Sequence, residues 1–249
     1  MPRTYLGIIT GSFSTPAIDN PTVVAMEAAY RHHGLDARYL NCEIAKTDLA
    51  AAVAGARAMH WAGFNCSIPH KVAVIDLIDG LAASAEIIGA VNCVVATGEG
   101  LIGHNTDGQG FVAALTPVRA PAGANVVVLG TGGAAQAVAF VFSQKKWPFR
   151  FVSSKKSRPD ALGYADLDEK TMSATDLIVN TTPLGMAPTT EDCPPLPFFL
   201  LKKETNVFDL IYNPPETVLL RRAAALGCPT QNGLDMLLGQ ADAAWEIFK

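Results

Sequence analysis

Short apolar runs along this chain alternate with stretches whose apolar residues recur at helical spacing. Tyr5-Leu6-Gly7-Ile8-Ile9 runs into a turn rich in Gly, Ser and Pro and reads as a strand. Residues 21–33 have helical spacing and stop at Gly34. Ala37-Arg38-Tyr39-Leu40 reads as a second strand, residues 48–59 as an alanine-rich helix, and residues 62–68 as a third strand. Pro69 ends that third strand, because proline cannot donate to a sheet ladder. Residues 72–81 and 84–88 read as helix and residues 90–96 as a strand, before a turn at Gly98-Glu99-Gly100. A second series opens with the almost wholly apolar strand Asn125-Val126-Val127-Val128-Leu129, followed by a helix over 136–142 and strands at 149–152, 176–180 and 207–212. This rhythm predicts an α/β fold on mainly parallel sheets covered by helices.

Composition narrows the function. About half of the 249 residues are apolar (49%) and 17% are charged, enough for a buried core in one large or two smaller domains. The net charge of −4 gives no broad cationic field, which argues against a nucleic-acid partner. The five cysteines are scattered, with no Cys-x-x-Cys or His-Glu-x-x-His spacing, so neither a metal site nor a disulfide framework is expected. The N-terminus lacks the pattern of a signal peptide and no apolar run is long enough to span a membrane, so a cytoplasmic protein is expected.

Chemistry-bearing residues cluster where strands end. Gly63-Phe64-Asn65-Cys66-Ser67-Ile68-Pro69-His70-Lys71 gathers an amide, a hydroxyl, an imidazole and an amine between apolar flanks. Polar groups in such a place are costly to fold around unless they bind something. Gly103-His104-Asn105-Thr106-Asp107-Gly108 lies at the junction of the two series, and Asp107 is the acid expected to face a cleft. Gly130-Thr131-Gly132-Gly133-Ala134-Ala135 directly follows a strand and opens a helix, the dinucleotide fingerprint in its Gly-x-Gly-x-x-Ala form. Gly130 allows the tight turn, Gly132 lets backbone approach a pyrophosphate, Ala135 lets helix pack on strand, and the helix N-terminus offers unpaired amides to phosphate. An NAD site would carry an acid about 20 residues further on. Ser153-Ser154-Lys155-Lys156-Ser157-Arg158 stands there instead, and hydroxyls and cations favour the 2′-phosphate of NADP.

GFNCSIPHK, GAVNCVV (89–95), GHNTDGQGF (103–111), VVVLGTGGAAQA (126–137), NTTPLGM (180–186), DLIYNPPET (209–217) and NGLDMLLGQA (232–241) resemble, in this order, the shikimate dehydrogenase family. The resemblance implies reduction of 3-dehydroshikimate, or a close cyclic hydroxy-acid analogue, with NADPH. It implies a substrate domain over 1–103 and 235–249, a Rossmann NADP domain over 104–234, and a C-terminal helix that returns to the substrate domain. Lys71 and Asp107 fall on the catalytic positions, facing one another between the domains. Ser14, Thr15, Asn65, Ser67, Asn92, Tyr212 and Gln240 fall on substrate-binding positions. Gly130, Gly132, Gly133, Ala134, Ser153, Ser154, Lys155, Arg158, Thr181, Met186 and Gly233 fall on the cofactor side. Phe13 and Asp19 depart from the family's Ser-x-Ser-Pro and His-Asn pattern, whose serines hold the substrate carboxylate. The implied partner is a small molecule, with no nucleic acid or membrane, in a monomer or homodimer. The alternative is a paralogue that senses a ligand or nucleotide without turnover; the presence of both Lys71 and Asp107 favours the enzyme.

Overall fold

A computed structural model describes residues 8–15, 20–115, 120–154 and 158–248. The chain divides into two compact units, Met1–Gln109 with Leu238–Lys249, and Gly110–Leu237. This boundary falls a few residues beyond the expected one, so Asp107 belongs to the first unit together with Lys71.

The first unit contains β1 (Ile8–Ser14), α1 (Pro21–His32), β2 (Ala37–Glu43), α2 (Leu49–Ala58), β3 (Gly63–Cys66), β4 (Gly80–Leu81), α3 (Ala83–Ile88), β5 (Cys93–Thr97) and β6 (Gly100–His104). Its sheet has the order β2-β1-β3-β5-β6-β4. The sheet is mainly parallel, as expected, with β4 parallel to β6, and β5 is the exception. β1 runs parallel to β2 and β3, but β5 is antiparallel to both β3 and β6. The cause is local: Gly98-Glu99 joins Thr97 to its partner Gly100, and a connection that short can only make a hairpin. The helix expected over 72–81 is a 3-10 turn at Ala73–Leu77 that gives way to β4.

β1 also corrects the sequence reading. It does not turn after Ile9 but continues through Gly11 to Ser14. Gly11 permits this, since a Cβ there would stand 2.7 Å from the Leu40 carbonyl oxygen and 2.8 Å from the Trp61 ring. Strand alternation then sends Phe13 into the core with Trp61, Phe64, Leu49 and Val53. Ser12 goes to the opposite, polar face, where the register sets it beside Asn65.

The second unit holds β7 (Val126–Leu129), α5 (Gly133–Lys145), β8 (Phe149–Val152), α6 (Glu169–Ala174), β9 (Leu177–Asn180), β10 (Asn206–Asp209), α7 (Val218–Ala225) and β11 (Thr230–Gln231). The boundary between units falls within two helices, α4 (Asp107–Leu115) and α8 (Leu234–Phe248). The second sheet, β11-β10-β9-β7-β8, is parallel throughout, as the alternating pattern predicts. Val126 and Val128 enter one core and Val127 and Leu129 the other, so both faces of β7 are buried and its sequence is apolar without interruption. α6 spans six residues, reflecting the short stretch between β8 and β9.

Candidate functional site

In the first unit, polar side chains converge at the ends of β1, β3 and β5. Lys71 Nζ donates to Asp107 Oδ2 at 2.5 Å, and both side chains are largely buried. The backbone on each side is tied down. The Lys71 carbonyl accepts Val91 N–H at 2.7 Å, and Asp107 N–H bonds Asn105 Oδ1 at 3.0 Å. Asp107 opens its helix, where a carboxylate is favoured by the exposed amides. Its second oxygen accepts from Asn92 Nδ2 at 2.9 Å.

Asn92 is the centre of the arrangement. It lies just ahead of β5 rather than within it, and it is 2% exposed. Its Nδ2 also reaches Thr106 Oγ1 at 2.9 Å and Gln240 Oε1 at 3.4 Å, while its Oδ1 accepts Thr106 N–H at 2.7 Å. Gln240 is buried and its Nε2 donates to Thr22 Oγ1 at 3.3 Å, which joins the C-terminal helix to the start of α1. The Asn92 carbonyl takes Asn65 Nδ2 at 3.0 Å, and Asn65 Oδ1 takes the Tyr39 hydroxyl at 2.7 Å. Burial drives the Tyr39 phenol well above the ordinary tyrosine range, and a hydrogen bond from Ser12 acts against it. Ser12 Oγ accepts from Asn20 Nδ2 at 3.3 Å, and Asn20 Oδ1 caps α1 through Thr22 N–H. The result is a polar chain that runs Ser12, Asn20, Thr22, Gln240, Asn92, Asn65, Tyr39.

The expected residues divide within this geometry. Lys71, Asp107, Asn92, Asn65 and Gln240 are brought together, although Asn65 has two protein partners. Ser14 lies on the polar face of β1, half-buried. Thr15 points the other way and gives its hydroxyl to the Ile44 carbonyl, which also accepts His70 Nε2–H at 2.8 Å. Ser67 is exposed and Tyr212 is half-buried in the second unit. Asn20, Tyr39 and Thr106 join the site without a motif of their own, and Ser12 joins it on the strand face that it shares with Ser14. Period-two alternation carries the signal for Ser12 once β1 runs past Gly11, and for Tyr39 within β2.

The second unit keeps the features of a dinucleotide site. Gly130 has φ +105°, and a Cβ there would stand 2.7 Å from Thr181 Oγ1. At Gly132 the direction of a Cβ is open, leaving room for a ligand against the backbone that caps α5. Gly133 and Ala134 form the first turn of α5, and Ala135 is fully buried against the sheet. These residues fit a pyrophosphate at a helix N-terminus. Arg158 stacks its guanidinium on Phe151 at 4.4 Å, bonds Asp160 through two nitrogens at 3.0 and 3.1 Å, and reaches Gln136 Oε1 at 3.2 Å. Ser153 and Ser154 follow β8 directly, and Lys155 lies outside the described residues, as does Asp19. Thr181 donates to the Leu129 carbonyl at 2.6 Å, and Met186 is half-buried. Gly233 donates its N–H to the Ile211 carbonyl at 3.0 Å, and a Cβ there would collide with the Leu210 carbonyl.

Behind this loop Asp209 is fully buried, holding Asn180 Nδ2 at 2.9 Å, Ile211 N–H at 3.1 Å and the Thr217 hydroxyl at 2.7 Å. Burial outweighs these bonds and raises its carboxyl to about 6 from 3.8. The folded state therefore holds this proton more tightly than the unfolded chain. Stability from this group is greatest below pH 3.8 and declines as pH rises to about 6, by a total of about 3 kcal/mol. Urea unfolding of Asp209→Asn alongside the parent should show a shallower decline over that window; equal slopes would refute it.

Among the described residues no cluster of His, Cys, Asp or Glu could hold a metal, all five cysteines are free, and no helix is long and apolar enough to cross a membrane. Residues 19–94 match the family model of the shikimate dehydrogenase substrate binding domain. A shikimate dehydrogenase (NADP(+)) of Desulforamulus reducens is 35% identical, over 96% of this chain and 89% of that protein. Among solved structures, ligand-free 5-ketofructose reductase of Gluconobacter sp. strain CHM43 is 45% identical, with a TM-score of 0.79 over 98% of this chain and 93% of that one. Shikimate 5-dehydrogenase of Thermus thermophilus, in complex with NADP(H) and shikimate, is 28% identical, with a TM-score of 0.85 over 97% and 93%.

Proposed function

The chain belongs to the shikimate dehydrogenase family and is an NADP-dependent oxidoreductase, and from that premise we propose that it reduces the ketone of a small polyhydroxylated compound bound in the first unit. The observation that carries this reading is the Lys71–Asp107 pair, held at 2.5 Å and braced by Asn92. NADPH, when bound, supplies hydride; Gly130, Gly132 and the start of α5 would hold its pyrophosphate, and Arg158 its 2′-phosphate. As hydride reaches a carbonyl carbon, negative charge grows on the oxygen, which must be neutralised. Lys71 Nζ–H is the donor for that oxygen. Asp107 Oδ2 aims the ammonium and stabilises its charge, while Asn92 fixes the other carboxylate oxygen. The neighbouring amides and hydroxyls suit a substrate with several alcohols. We place the enzyme in the cytoplasm.

Two substrates stand within this reading. The many relatives named shikimate dehydrogenase support 3-dehydroshikimate or a close analogue, and Ser12 and Ser14 present two hydroxyls from one strand face. The 45% identity to a 5-ketofructose reductase supports an open or cyclic keto-sugar. Loss of NADPH absorbance with 3-dehydroshikimate and with 5-ketofructose tests both. Oxidation of NADPH by at least one ketone, faster than oxidation of NADH, is expected. Binding of a ketone by calorimetry with no oxidation by either would move the protein to the sensing alternative.

A further inference from the structure

We propose that Asp160 is a specificity-determining residue for the dinucleotide: bound to Arg158 beside the second strand of its unit, it narrows the preference for NADP(H) over NAD(H). The proposal rests on the reading that Arg158 meets the 2′-phosphate, and it adds the residue that opposes that contact.

Position carries the first step. In a dinucleotide-binding fold the loop after the second strand reads the 2′ position of the adenosine ribose. An acid there takes the 2′-hydroxyl of NAD, and an arginine accommodates the 2′-phosphate of NADP. β8 is the second strand of this unit, parallel to β7, which leads into the glycine turn. Arg158 lies on the ring of Phe151 in β8 at 4.4 Å and reaches Gln136 Oε1 in α5 at 3.2 Å. It therefore bridges that strand and the helix that starts at the glycine turn. Asp160 is held at the same point, with Arg158 Nε donating to Oδ1 at 3.0 Å and Nη2 to Oδ2 at 3.1 Å. The chain thus sets the acid and the arginine side by side.

Charge carries the second step. These bonds place three of the five N–H donors of the guanidinium, so a phosphate can still approach it. That phosphate then shares its cation with a carboxylate. The Arg158 guanidinium holds the Asp160 carboxyl below the usual carboxylate range, so Asp160 is ionised at neutral pH. Its side chain is 61% exposed and that of Arg158 34%, so water weakens the repulsion between carboxylate and phosphate without abolishing it. A 2′-hydroxyl carries no charge and meets no such opposition, and it can donate to the carboxylate.

Calorimetry on the full chain with adenosine 2′,5′-bisphosphate and with 5′-AMP tests this, since the two ligands differ only in the 2′-phosphate. Lys155 and Lys156, outside the described residues, are common to every variant compared. Asp160→Asn keeps the shape of the side chain and removes its charge. It is expected to tighten the bisphosphate about fivefold and to give 5′-AMP no gain, the effect shrinking as salt is raised. NADP⁺ should gain over NAD⁺ by the same factor. No gain for the bisphosphate, or an equal gain for 5′-AMP, overturns the proposal. Arg158→Gln, measured alongside, should weaken the bisphosphate by about tenfold and tests the reading beneath it. That loss, without a gain in Asp160→Asn, leaves the 2′-phosphate assignment of Arg158 standing and removes Asp160 alone. Unchanged bisphosphate affinity in Arg158→Gln overturns both.

Discussion

Lys71→Ala is expected to lower turnover by about a thousandfold while NADPH binds with unchanged affinity. In the proposed reaction the ammonium supplies the proton that the nascent alkoxide requires, and among the described residues no other donor of comparable acidity lies within its cluster. Asp107 accepts from Lys71 at 2.5 Å and from Asn92, and it has no proton to give in its place while ionised. His70, adjacent in sequence, is 1% exposed with its Nε2 on the Ile44 carbonyl, so it is not free to take over. Lys71→Arg keeps the charge, but a guanidinium gives up a proton far less readily than an ammonium, and the variant should recover little of the rate. Turnover and an NADPH fluorescence titration on the same preparations separate the two quantities. Parent-like turnover in Lys71→Ala would sink the proton-donor assignment, and a parallel loss of NADPH affinity would mean that the residue acts through the fold.

Asn92→Ala should cost both stability and rate. The substitution leaves the Thr106 N–H and one Asp107 oxygen without partners at sites that are 1% and 4% exposed. Each unsatisfied buried group costs about 1–3 kcal/mol, so a loss of about 3 kcal/mol in urea unfolding is expected. Asp107 also loses one of the two contacts that orient its carboxylate. The lysine it aims then samples other positions, and turnover should fall by about one to two orders of magnitude. A stability loss without a rate loss would show that Lys71 and Asp107 hold one another unaided. The reverse would show that Asn92 touches the substrate directly.

Much of this site is legible from single residues. Lys71 after Pro69, Asp107 in Asn-Thr-Asp-Gly, and the glycine turn before α5 are local signals, each read from a few neighbours. The helix at Pro21–His32 and the apolar strands of the second unit follow from spacing alone. What resisted reading depends on partners far along the chain. β1 looks interrupted at Gly11-Ser12 because a glycine beside a serine signals a turn. The strand continues because Leu40 and Trp61 crowd that position, and neither is near it in sequence. Asn65 reads as a substrate ligand, yet Tyr39 and Asn92 claim its amide from 26 and 27 residues away.

Residue order alone therefore determines the alternating architecture and the dinucleotide turn, and it singles out the lysine proposed as proton donor, because each depends on local spacing and on side-chain chemistry that does not change with context. Folding decides the rest. Strand register chooses which hydroxyl of Ser12, Ser14 and Thr15 faces the site, since one step along a strand moves a side chain to the other face. Hydrogen-bond partners distant in sequence then decide whether a hydroxyl is already spent, as that of Thr15 is on the Ile44 carbonyl. A hydroxyl's role as donor or acceptor belongs to the network around it, and that network exists only after the sheet has formed.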